Sequence, residues 1–240
     1  DQLFYISKRN IIGVREGGVP MFAEDSSEKN GFEISDWITL DKEEIFIKAQ
    51  EQADLAFLIS VPNQVAPGSH FGSVIISVDP PKLRESGASI GYEVAHLIHL
   101  RIEGDVQEAA RIRQFSTSKY IYGSTNVDFN VKIENEGNTY IKPTGPLEII
   151  NMFGKRVTML QFNESQAGVL PKMAGSATDS NGTRSFDINW SDDTPGFGRY
   201  EALLSVVYGV EGKMSTISST VTFWILPMNI ITPALIVLGV

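Results

Sequence analysis

With 29 Asp and Glu against 20 Lys and Arg in 240 residues, the chain has a formal net charge of −9 and no Lys/Arg cluster, which argues against a nucleic-acid partner. The length suits two domains, each able to bury its own core. Cysteine is absent, so disulfides, thiolate metal sites and a Cys nucleophile are excluded.

The chain opens at Asp1 with neither Met nor a charged-then-apolar leader, which reads as a mature form or a fragment. Residues 3–6 read as an inner strand. Leu55, Phe57, Ile59 and Val61 then alternate with other residues, as do Val74, Ile76 and Val78 with Ser73 and Ser77, the period of a half-buried strand. Pro67-Gly68 is a turn signal between the two runs. Counted this way, the first module has fewer strands than a closed sandwich needs, unless opening strands lie upstream of Asp1 or another chain donates one.

The next strand, 93–103, carries Glu93, His96 and His99, which look like metal ligands. Positions three apart on a strand face opposite ways, so the two imidazoles do not converge, and surface or core roles are the better reading. Residues 106–115 are the one stretch with a helical look. The polar segment "RQFSTSKYIYGSTN" sets the predicted boundary, giving domains 1–116 and 117–226. Ser116 and Lys119 within it match S-x-x-K, but S-D-N and K-T-G partners are missing.

In the second domain Val127, Phe129, Val131 and Ile133 alternate with Asp128, Asn130, Lys132 and Glu134, the clearest strand in the chain. Turn chemistry follows at Glu136-Gly137-Asn138 and Asn181-Gly182. Asp179 to Gly182 and Asp192-Asp193 lack the full loop of a calcium site and read as hairpin turns. Asn163, Asn181 and Asn189 sit in glycosylation sequons. Pro195-Gly196 precedes a strand whose early residue is Tyr200, the layout of the tyrosine corner in Ig-like sandwiches. "PGSHFGSVIISV" from Pro67 is a related phrase, so two similar modules in tandem are expected, with His70 and Phe71 where the second module has its tyrosine.

After Lys213 the remaining 27 residues contain no ionisable group. Residues 214–223 alternate with Ser and Thr and read as a last strand. Alternation stops at Trp224, and 230–240 is apolar except for Thr232. A spanning helix needs about 20 residues, so 227–240 reads as the start of a transmembrane helix. Trp224 would lie in the interfacial aromatic belt, and Ile230, Ile231, Leu235, Ile236 and Leu238 would face lipid.

These readings add up to an all-β chain: two tandem Ig-like antiparallel β-sandwiches, then the beginning of a C-terminal membrane helix. Trp37, Gly196 and Tyr200 are the structural residues singled out. No phosphate loop, dinucleotide fingerprint, nucleophile elbow or H-E-x-x-H is present, so no catalytic, cofactor or metal residue is predicted.

Two stretches are familiar. "SDWITLDKEEIFIKAQEQADLAFLISVPNQVAPGSHFGSVIISV", with Trp37-Ile38, Val61-Pro62 and the Ala-Pro-Gly at 66–68, resembles the N-terminal Ig-like domain of bacterial surface proteins of the WxL-interacting type. "VDFNVKIENEGNTYIKPTGPLEIINMFGKRV", with its motifs at 134–138, 142–145 and 151–155, resembles the second domain of such proteins and of looser relatives. The resemblance implies surface binding, to partner surface proteins or peptidoglycan, from a single-pass anchor in the cell membrane with the β domains on the extracytoplasmic side. The leading expectation is therefore a non-enzymatic, membrane-anchored binding or scaffolding protein. The alternative is an accessory subunit of a larger membrane complex. A carbohydrate-active sandwich would need carboxylates facing across a cleft, whereas Asp192 and Asp193 are adjacent.

Overall fold

A computed structural model describes residues 1–15, 18–23, 30–79, 92–173, 181–210 and 213–227. The chain divides into two compact units. Unit 1 comprises Asp1–Arg15, Val19–Gln107 and Met173–Asn181; unit 2 comprises Glu16–Gly18, Glu108–Lys172 and Gly182–Val240.

Unit 1 is built on β1 (Gln2–Val14), β2 (Pro20–Phe22), β3 (Ile38–Leu40), β4 (Glu44–Ile47), β5 (Phe57–Ile59), β6 (Gly68–Ser77) and β7 (Glu93–Ile102), with a single 3₁₀ turn at Ser35–Trp37. The main sheet runs β2-β1-β6-β7, and β4 pairs with the first residues of β1. The strand read at 3–6 is thus internal, flanked by β4 on one side and β6 on the other. The second sheet, among the described residues, is only the short pair β3–β5. Ile6, Ile34, Ile38, Val74 and Ile98 form the core between them.

Unit 2 holds β8 (Ala110–Thr117), β9 (Ile121–Tyr122), β10 (Asn126–Asn135), β11 (Gly145–Asn151), β12 (Arg156–Phe162), β13 (Thr183–Ser191), β14 (Gly198–Tyr208) and β15 (Ser215–Ile225). A three-stranded sheet, β13-β10-β8, opposes a five-stranded one, β12-β11-β14-β15-β9, the Ig-like two-sheet arrangement. Every adjacent pair is antiparallel except β15–β9, where Trp224 and Ile225 run parallel to Ile121 and Tyr122. The inward residues of β10 (Val127, Phe129, Val131 and Ile133) are at most 1% exposed.

Three sequence expectations change here. The helical-looking 106–115 stretch runs into strand β8, which starts at Ala110 and is hydrogen-bonded to β10. A bulge explains the false period: Lys132 pairs with Gln114 and Ile133 with Ile112, so Arg113 is the extra residue. Ile112 and Phe115, both packed on the core, end up three apart and mimic a helical stripe. Because β8 belongs to unit 2, the change-over falls between Gln107 and Glu108 rather than at 116/117. The last strand extends through Trp224 to Ile225, where 214–223 was expected. Ile230, Ile231, Leu235, Ile236 and Leu238, with the rest of the expected membrane segment after Pro227, lie outside the described residues. Among the described residues no helix is long and apolar enough to cross a membrane.

Candidate functional site

Strand β6 begins at Gly68, whose φ of +121° lies in a region that suits glycine. From there the strand presents His70 to the layer that holds Trp37. The His70 ring is 4% exposed, lies 5.0 Å from the Trp37 ring and donates from Nε2 to the Ala66 carbonyl at 2.8 Å. With that nitrogen donating, Nδ1 of a neutral ring is an acceptor, and it is buried without a hydrogen-bond partner. The two rings, with Glu33, Asp36, Val65 and Ala66, line an open pocket of 230 Å³. Glu33 is partly spent on its own loop, accepting from the amides of Asn30 at 3.0 Å and Gly31 at 2.7 Å.

The adjacent strand β7 forms the margin of the sheet. It pairs with β6 over all ten residues, Glu93 to Ser77 through Ile102 to Gly68, and has no second strand partner among the described residues. The bond from Val78 N–H to the Tyr92 carbonyl fixes the phase of the ladder. In an antiparallel pair, hydrogen-bonded and non-bonded positions alternate. Val94, His96, Ile98 and Leu100 therefore bond to β6, while Ala95 and Leu97 turn their amides and carbonyls outward. The margin is also apolar: Tyr92, Val94 and Leu97 are 82%, 69% and 50% exposed.

His96 and His99 lie on opposite faces of β7, as strand geometry requires. His99 stacks on Phe71 at 5.0 Å, and its Nε2 is 2.7 Å from Ser69 Oγ. Among the described residues no group of three His, Asp or Glu is placed to hold a metal ion.

The other residues singled out from sequence serve architecture. Tyr200 is 7% exposed, and its phenol oxygen accepts from the Phe197 amide at 3.3 Å, tying the start of β14 to the loop before it. Gly196 lies against that phenol: a Cβ there would stand 3.0 Å from the Tyr200 hydroxyl and 2.8 Å from the Thr125 methyl. Tyr122 makes a similar tie, accepting from the Lys119 amide at 3.0 Å. No pattern announces it, because the three apolar residues Tyr120-Ile121-Tyr122 between polar neighbours are too few to show a strand period. His70 escapes sequence reasoning for a related reason: by pattern it is only the position lacking a tyrosine, yet its ring also bonds back to the preceding loop.

Neither a protein-family profile nor a curated protein matches this chain. Among solved structures, a chaperone–tip adhesin complex of CFA/I fimbriae aligns at 12% identity over 92% of this chain and 85% of that chain, with a TM-score of 0.40. The class 5 fimbriae chaperone CfaA aligns at 12% identity over 94% and 87%, also with a TM-score of 0.40. A likeness at this level transfers no activity and no partner.

Asp192 and Asp193 stay side by side on one loop. The Asp192 carboxylate accepts from the Thr194 hydroxyl at 2.6 Å and the Thr194 amide at 2.8 Å, and these bonds hold its pKa below the ordinary aspartate value. The sequon residues Asn163, Asn181 and Asn189 all donate their side-chain amides to other protein groups: Asn163 to the Pro143 and Ala167 carbonyls, Asn181 to the Met173 carbonyl, and Asn189, at the surface, to Asn126 and Asp128. Asp179 and Ser180 lie outside the described residues. Trp224 sits in β15, half-buried, opposite Arg199 on one side and Ile121 on the other.

Proposed function

We propose that this chain is a non-catalytic binding protein of the cell envelope, attached to the membrane through its apolar C-terminal run, whose unit 1 captures an extended segment of a partner protein as an added strand on β7. The observation that carries the reading is the open margin of β7. In the middle of this edge strand an incoming strand satisfies the outward amides and carbonyls of Ala95 and Leu97. Natural edges are normally blunted by charged side chains, proline or shortness; β7 has no Lys or Pro, and its charged residues, Glu93 and Arg101, lie near its two ends. The apolar side chains of Val94 and Leu97 add burial for alternate residues of the guest. Membrane attachment is supported by residues 230–240, which follow the last strand and are apolar except for Thr232.

The test is site-specific photocrosslinking in cells from positions 94 and 97, with position 157 on β12 as control, followed by amide exchange on the purified complex. Adducts at 94 and 97, with the amides of Ala95 and Leu97 slowed about tenfold or more relative to the unbound chain, are expected. Adducts arising only from position 157, or unchanged exchange at Ala95 and Leu97, would overturn the reading. Membrane attachment is tested separately by extraction: release by carbonate without detergent removes that part.

A further inference from the structure

One end of unit 2 collects apolar side chains that its sandwich does not bury. The register places the β8–β10 connection, the β11–β12 turn, the β13–β14 loop and the exit of β15 at this end: Asn126 pairs with Ser191, Ile150 with Arg156, Asn151 with Tyr200, and Gly198 with Ile225. Phe153 is 82% exposed there, Tyr120 63%, Phe197 60%, Ile121 53% and Met152 50%. On the outer face of the five-stranded sheet Arg199, Trp224 and Ile121 stand side by side as one cross-strand row. Lys155 precedes the strand at one margin of this sheet and Lys119 the strand at the other, while Arg156 pairs with Glu148 at 2.9 Å and Arg199 lies 3.7 Å from Glu201. Asp192 and Asp193 lie on the loop arriving from the facing sheet.

We infer that this end of unit 2 rests on a lipid bilayer, its aromatic and apolar loop tips inserted at the headgroup level and Lys119 and Lys155 against lipid phosphates. The inference rests on membrane attachment through the C-terminal run. Two observations select lipid as the occupant. First, β15 ends at Ile225 on this same end, so the apolar 230–240 segment begins five residues from the exposed tips. Any bilayer that takes up that segment is within about 18 Å of chain from them. Second, the mixture is interfacial in chemistry: Tyr, Trp and Phe bodies with Lys and Arg beside them, where a protein-binding core would be depleted of Lys. Such loops add apolar burial and charge attraction to the tail's own, and they hold the β-sandwich in one orientation on the surface.

The absence of cysteine allows a direct test on the full chain. Phe153→Cys, Phe197→Cys and, at the opposite end of the sandwich, Met214→Cys are each labelled with an environment-sensitive fluorophore. The labelled chains are reconstituted into vesicles of phosphatidylcholine and phosphatidylglycerol in equal parts, with or without lipids spin-labelled near the headgroup. Quenching of about twofold at 153 and 197, with none at 214, is expected. Chain that floats with the vesicles but shows no quenching at 153 and 197 overturns this inference and leaves membrane attachment standing. Chain that fails to float overturns both. Labels at 153 and 197 that are shielded before vesicles are added, and stay unquenched afterwards, put the chain's own tail or a second copy on this surface and also overturn it.

Discussion

Tyr200 holds its place by one long hydrogen bond and by packing, and the two contributions are separable. Its ring stacks on Phe223 with centroids 5.7 Å apart and planes 15° apart, while the phenol accepts the single 3.3 Å bond from Phe197. Tyr200→Phe keeps the ring and leaves one amide unpaired, so a loss of about 1 kcal/mol in urea unfolding is expected. Gly196→Ala is costlier, about 1–3 kcal/mol, because its methyl meets Ile225 at 3.0 Å as well as the phenol and Thr125. The two changes share an atom, so the alanine should cost less in the Tyr200→Phe background than in the parent; purely additive losses would show that the phenol does not set the space at Gly196. At Asp192 the depressed pKa gives a pH signature. A carboxylate whose folded pKa is lowered contributes stability that is present above its unfolded pKa, about 4, and is lost as pH falls through the lower folded value. Thr194→Val removes the largest cause of that shift. The Asp192 carboxyl midpoint, followed by carbon NMR, should rise toward the ordinary value, and an unmoved midpoint would reject the assignment.

At the scale of an element, the alternation in β7 makes a sharp prediction. The Leu97 amide points outward, so Leu97→Pro removes a donor that only a guest strand uses; unit 1 should fold, and the captured segment should be lost. The neighbouring Ile98 is 8% exposed and its amide faces Gly72, so Ile98→Pro should unfold unit 1. Circular dichroism with a binding assay on both variants decides the matter, and equal behaviour of the pair would mean the ladder phase is wrong. The same element logic explains what could be read from sequence. Strand β10 was legible because each inward residue is buried and each outward one is polar, with no irregularity through its apolar run on the β13 side. Strand β8 was not, because the bulge at Arg113 breaks its period. The pocket beside Trp37 was half legible: the Trp announced itself, whereas its companion His70 lies about thirty residues away and is brought to it only by the approach of the 3₁₀ turn to β6.

At the scale of the whole molecule, the two units differ most in what they bury. Among the described residues the unit 2 core has nineteen members, and the rings of Phe129, Tyr122, Trp190 and Tyr200 all lie within 6.4 Å of Phe223. The main unit 1 cluster has five, roofed by a sheet of two three-residue strands. Burial of apolar area is the dominant favourable contribution to folding, so unit 1 should unfold at the lower urea concentration. A captured strand on β7 would raise that lower midpoint, since a ligand that binds only the folded form stabilises it. The tryptophans report on the units separately: Trp37 in unit 1, and Trp190 in unit 2 once Trp224→Phe has silenced the third. Phe223→Ala removes the ring on which four others converge and should cost about 3–5 kcal/mol. At a urea dependence of about 2 kcal/mol per molar, the Trp190 midpoint should fall by roughly 2 M while the Trp37 midpoint stays in place. Were both midpoints to move together, the two cores would be one cooperative unit, and the weakness of unit 1 could not serve as a reason for it to await a partner strand.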